Sequence, residues 1–172
     1  MRKLFLIFLA LLAAGCNSMP RSVPKVTAVN EPSGLGNTTI LRNYNYFGSA
    51  LHYWPKVDGN VISGIFKNQY VSFNLTVGNH KLGVGCCIGP MAPWMDDQIE
   101  ITVAEGKRRY FLVSPMILRS AFPEIEEISE EEAITRIAQS ERIKTGFISD
   151  CDGKPVEATD NAPWYCLGMA RP

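Results

Sequence analysis

The chain has few of the residues on which recognisable chemistry is built. Two histidines, His52 and His80, stand among 172 residues, at no metal-ligand spacing. There is no Cys-x-x-Cys pair, His-Glu-x-x-His helix, Gly-x-Ser-x-Gly elbow or glycine-rich phosphate loop. Zinc-dependent hydrolysis, serine-nucleophile acyl transfer and nucleotide phosphate binding therefore have no support. An excess of either charge is missing too, since 17 Lys and Arg balance 17 Asp and Glu, with no basic stripe of the kind that recruits nucleic acid. The acidic cluster from Glu124 to Glu132 is interleaved with Ile and Ser, which suits neither a cation sponge nor a disordered tail. Asp96-Asp97 and Asp150 with Asp152 read as loop solubility rather than as catalytic carboxylates. A metal or redox site built from Cys86, Cys87 and either His80 or Cys151 lacks ligand spacing, and His80 reads as a solvated turn residue. No catalytic residue, metal or cofactor is expected.

What is present begins with an address. Arg2 and Lys3 precede Leu4 to Cys16, an apolar run of about ten residues closed by small ones, too short to cross a hydrocarbon core of roughly 30 Å. Ala13-Ala14-Gly15-Cys16 resembles the lipobox of bacterial lipoproteins, with Ala13 where Leu is usual. That resemblance implies removal of residues 1–15, a diacylglyceryl thioether on Cys16 and a mature chain of 157 residues, enough for one domain. Loss of Arg2 and Lys3 leaves it near minus two. Asn17 is not the Asp that retains lipoproteins at the inner membrane in enteric-type bacteria, so the expected location is the outer membrane, facing the periplasm. Residues 16–36 carry Pro20, Pro24 and Pro32 with no sustained periodicity and read as lipid anchor and flexible tether. Such a tether spans roughly 25 Å as a coil of about twenty residues.

From Thr39 onward the pattern is that of strands. Val71, Phe73, Leu75 and Val77 alternate with Ser72, Asn74 and Thr76, and Ile99, Ile101 and Val103 alternate with Gln98, Glu100 and Thr102. Leu82, Val84 and Cys86 share the period, and a further strand is expected over Leu51 to Val57. Asp58-Gly59-Asn60, Val77-Gly78-Asn79 and Glu105-Gly106-Lys107 offer the positive φ that tight hairpins need. The expected fold is mostly β, an antiparallel sandwich of about seven strands over residues 37–146, with one helix near 130–143. That helix opens on a capping box, Ser129 to Glu132, places Ala133, Ile134, Ile137 and Ala138 at helical spacing, and is expected to cover an edge or end of the sandwich.

Val57-Asp58-Gly59-Asn60, Tyr70 to Leu82 with its Gly78-Asn79-His80 turn, Val103 to Lys107 running into Tyr110 to Val113, and Glu131-Glu132-Ala133 with Ile137 together resemble the bacterial lipoprotein family catalogued as domain of unknown function 2846. The resemblance covers roughly Thr39 to Ile143. It implies a lipid-anchored sandwich similar to transthyretin-like and immunoglobulin-like folds, and it lends no catalytic residues. Cys86-Cys87-Ile88-Gly89-Pro90 and the chain after Gly146 depart from the pattern.

With Cys16 committed to lipid, Cys86, Cys87, Cys151 and Cys166 remain, an even number for an oxidising envelope. Joining Cys151 to Cys166 would force the adjacent Cys86 and Cys87 into a strained ring. The two cross-pairings left would staple residues 147–172 to the domain, each closing a loop of about 65 to 80 residues for some 4 kcal/mol in the chain-entropy model. Met91, Trp94 and Met95, framed by Pro90 and Pro93, form a candidate partner contact, as does the aromatic run Tyr44, Tyr46, Phe47, Tyr53 and Trp54. The function expected is a non-enzymatic adaptor, scaffold or inhibitor module for another envelope protein, held to the membrane through Cys16. The alternative is a periplasmic carrier whose two sheets or tail enclose an apolar or sugar ligand.

Overall fold

The computed structural model describes residues 27, 29–42, 53–86, 96–115, 123–149 and 155–157. It is a two-sheet β-sandwich. The larger sheet has the order β8-β7-β1-β4-β9, from β8 (Pro123–Ile128), β7 (Arg109–Pro115), β1 (Thr38–Arg42), β4 (Gln69–Phe73) and β9 (Glu141–Arg142). The smaller has the order β3-β2-β5-β6, from β3 (Asn60–Val61), β2 (Tyr53–Val57), β5 (Gly78–Cys86) and β6 (Asp96–Val103). A separate pair joins β10 (Phe147–Ser149) to β11 (Pro155–Glu157).

Period-two alternation fills the space between the sheets. Ile40, Phe73, Phe111 and Val113 from the larger sheet meet Tyr53, Leu82, Val84 and Ile101 from the smaller in one continuous buried cluster. Glu100 and Thr102 lie exposed and alternate with the buried Ile101 and Val103, as their spacing predicts. The pattern fails at its other end, because β4 stops at Phe73 and Val77 is 68% exposed. The sandwich is mixed rather than wholly antiparallel: β1 runs parallel to β7, and β9 parallel to β4.

Of the three glycine turns, Asp58-Gly59 alone closes a hairpin within one sheet. Its φ values of 49° and 82° are the paired left-handed geometry that matches strand twist in a two-residue turn. The other two turns, 74–77 and 104–108, carry the chain from one sheet to the other. Gly59 in the hairpin and Gly106 in a crossing answer the same demand for positive φ, so composition does not separate a hairpin from a crossing.

The helix, α1 (Glu130–Ile137), lies on the outer face of the larger sheet rather than at an edge, with Ala133 and Ile137 against Leu41, Tyr110 and Leu112. Ser129 caps it by accepting the Glu132 N–H (3.2 Å), but the Glu132 carboxylate goes to Arg136 (2.7 Å) instead of reaching back. The helix is shorter than the expected 130–143. Ser140 donates to the Arg136 carbonyl, and Glu141 and Arg142 join β4 as β9, which delivers Ile143 to the core.

Residues 29–36 are not free tether. Val29 packs on the core, Thr27 donates to the Val61 carbonyl (2.7 Å) and Asn74 donates to that of Asn30 (2.8 Å). Arg142 binds Glu31 (3.2 Å) and the Pro32 carbonyl (2.8 Å), and Gly36 donates to Ser72 Oγ (2.8 Å). The segment is a strap that closes one side of the sandwich. Proline there removes donors the strap does not need, which is why its composition reads as linker.

The opposite side is closed by Asp97. Its Oδ1 accepts the Gln98 N–H (3.0 Å) and its Oδ2 the Ile125 N–H (2.9 Å), so one carboxylate satisfies an edge donor on β6 and another on β8. Arg109 adds a second tie, donating to Glu127 on β8 (Nε to Oε1, 2.7 Å) and to the Thr102 carbonyl on β6 (3.1 Å). Asp97 is thus a strand residue with structural work, not a solubilising loop residue.

Candidate functional site

The strand register sorts the connections by length. Arg42 pairs with Val113, Tyr53 with Cys86, Gly85 with Asp96 and Pro115 with Pro123. The Arg42 guanidinium stands 4.0 Å over the Tyr53 ring, which brings these ends of the two sheets together. From this one end the chain leaves and returns three times, through residues 43–52, 87–95 and 116–122, connections of ten, nine and seven residues. The strand-to-strand connections at the other end, 58–59, 74–77 and 104–108, have two, four and five. Long connections gathered on a rigid scaffold are where binding residues concentrate.

Arg42 is the built feature of this end. It is 3% exposed, donates to the Ile65 carbonyl (3.2 Å) and also faces the Phe66 ring at 5.8 Å. Burial pulls its pKa down to about 10, partly opposed by Tyr53, and burial raises the Tyr53 phenol. Nothing in Thr38-Thr39-Ile40-Leu41-Arg42 marks the Arg as buried, because a strand end is usually where a charge reaches water. Tyr53 and Trp54, expected among partner contacts, are 0% and 6% exposed and belong to the interior.

The other sequence-derived candidates fall largely outside the described residues. Cys16, Cys87, Cys151, Cys166, Met91, Trp94 and Met95 lie there, as do His52, Tyr44, Tyr46 and Phe47. The backbone of Cys86 is described and ends β5 at the Arg42 end, opposite Tyr53. His80 lies six residues earlier on β5, about 20 Å away at roughly 3.3 Å per residue, so the two cannot share a ligand. Among the described residues no group of three or more His, Cys, Asp and Glu is placed to hold a metal ion.

His80 itself is not a solvated turn residue, its side chain being 13% exposed at the short-turn end. Nδ1 lies 2.9 Å from Asp58 Oδ2, and Nε2 lies 3.0 Å from the Thr76 carbonyl and 3.3 Å from Thr76 Oγ1. Asp58 Oδ1 accepts the Lys81 N–H at 2.9 Å. The hydrogen bond that His80 donates to Asp58 holds the imidazolium above the ordinary histidine range, and that same bond holds the Asp58 carboxyl below its own. Asp58 and His80, with Asn79, Lys81, Glu100 and Thr102, line an open hollow of about 500 Å³.

Asp58, His80 and Thr76 have the order of a carboxylate, imidazole and hydroxyl relay, but not its chemistry. A general base must present a lone pair to the hydroxyl, whereas Nε2 lies nearer the Thr76 carbonyl, which can only accept. Both short contacts are made to acceptors, which suits a ring that donates at both nitrogens. Between the sheets, the core is filled by side chains such as Phe73, Leu82 and Phe111, each with no exposure.

No family model, curated protein or solved structure matches this chain. Among the described residues no helix is long and apolar enough to cross a membrane.

Proposed function

We propose that the protein is a lipid-anchored lipoprotein of the bacterial envelope, held through Cys16 at the periplasmic face of the outer membrane, whose sandwich offers its Arg42 end to another envelope protein. The resemblance to the family of domain of unknown function 2846 is part of this proposal. Its role is non-enzymatic, that of an adaptor, scaffold or inhibitor. The observation that carries it is the sorting of connections, long at the Arg42 end and short at the Asp58 end. A rigid two-sheet core closed on both sides by the strap and by Asp97 supports presentation of loops rather than enclosure of a ligand. With residues 29–36 docked, that segment belongs to the domain rather than to the tether.

The test is affinity capture of the mature protein from gently solubilised envelopes, with and without Trp94→Ala. A single partner recovered in equimolar amount and lost from the variant is the expected result. Recovery of the same partner by Trp94→Ala would remove residues 87–95 from the contact, and absence of any equimolar partner would overturn the reading.

A further inference from the structure

We propose that His80 is a proton-operated fastener: doubly protonated, it ties the β2–β3 hairpin to the 74–77 crossing, and loss of one proton releases that crossing and the strap attached to it. The geometry alone requires the two charge states to differ. Nδ1 faces a carboxylate oxygen at 2.9 Å and Nε2 faces a backbone carbonyl at 3.0 Å, and an imidazole supplies two N–H donors only as the cation. A neutral ring must turn one lone pair toward one of these oxygens.

Which tie breaks follows from the second partners. The Asp58 carboxylate is held in place by the Lys81 N–H and is the stronger acceptor, so Nδ1 keeps its proton. Nε2 then becomes an acceptor, and Thr76 Oγ1, 3.3 Å away, is the donor within reach. The Thr76 carbonyl is left without its N–H partner. Among the charged groups that line the hollow with the ring, Asp58 belongs to the hairpin turn, and Lys81 on β5 and Glu100 on β6 are register partners of opposite sign. Asp58 is thus the carboxylate that sets the protonation of the ring.

The released turn holds more than itself. Asn37 donates its N–H to Asn74 Oδ1 (3.0 Å) and its amide to the Leu75 carbonyl (2.7 Å), and accepts the Leu75 N–H (2.9 Å). Asn74 in turn donates to the Asn30 carbonyl of the strap. Loosening 74–77 therefore loosens the entry of β1 and the segment that leads toward the N-terminus, so that ambient pH sets how firmly the domain grips its own tether.

Nitrogen-15 NMR of the mature protein tests this directly, because His52 is the single other histidine to assign. Both His80 ring nitrogens are expected to carry protons at a pH of about 6.5, the midpoint of free histidine. The exchange protection of the Asn74 and Leu75 amides should fall about fivefold as pH rises through the His80 titration, the loss of about one hydrogen bond. Asp58→Asn should move that titration down, and His80→Gln should abolish the pH dependence of protection. A neutral His80 ring at that pH, or amide protection at 74–75 that is the same in both ring states, would overturn the proposal, and neither reading requires the variants to fold.

Discussion

Arg142→Met tests whether residues 29–36 belong to the domain. The guanidinium is 24% exposed and makes two short contacts, to Glu31 at 3.2 Å and to the Pro32 carbonyl at 2.8 Å; those to the Ser33 and Ser72 carbonyls, at 3.4 Å, are long enough to count for little. Charge-assisted bonds contribute about 1.5 kcal/mol each at the low end suited to partial exposure, or about 3 kcal/mol together. Against this, Nε is buried without an acceptor among the described residues, and Met removes that unsatisfied donor while keeping the apolar stem, returning about 1 kcal/mol. The net expectation is a loss of about 2 kcal/mol, read as a drop in the urea midpoint of about 1 M. Limited proteolysis should at the same time open a cut within 27–36. An unchanged midpoint with an uncut strap would refute the reasoning, because a free tether has no stability to lose.

Gly36→Ala attacks the same strap from its other end. A Cβ there would stand 2.1 Å from the Phe73 carbonyl oxygen, so backbone must move, and a loss of about 3 kcal/mol in urea unfolding is expected where a tolerated alanine would show none. The His80–Asp58 pair gives stability a maximum between two limits. His80, raised in the folded state, adds stability that is complete below the unfolded histidine pKa and disappears as pH rises through its folded value. Asp58, lowered, adds stability present above the unfolded carboxyl pKa and lost as pH falls through its folded value. Urea midpoints measured across pH should flatten on both sides in His80→Gln; an unaltered profile would contradict the assignment. Thiol titration of denatured, unreduced mature protein is expected to find no free sulfhydryl, and four would refute the stapled tail.

The layers of the fold were readable in the chain because each rests on local chemistry. Ile99 to Val103 alternates cleanly since one face of β6 meets the core and the other meets water. Asp58-Gly59 announces its hairpin through the demand for positive φ, and Ser129 announces a helix start through its side-chain acceptor. What was illegible depends on partners distant in sequence. The strap is fixed by Arg142, about 110 residues away, and the closed seam by Asp97 reaching Ile125. His80 looked solvated because its partners, Asp58 and Thr76, are brought to it by two different turns. The helix ends short of residue 143 because Glu141 and Arg142 pair with β4, far away in sequence, and so deliver Ile143 to the core.

The proposed role rests on attachment at Cys16, and intact-mass analysis of the mature N-terminus tests it most directly. A chain beginning at Cys16 and carrying a thioether-linked diacylglyceryl group is the predicted product. A chain cut at another position, or one with an unmodified Cys16 thiol, would contradict it.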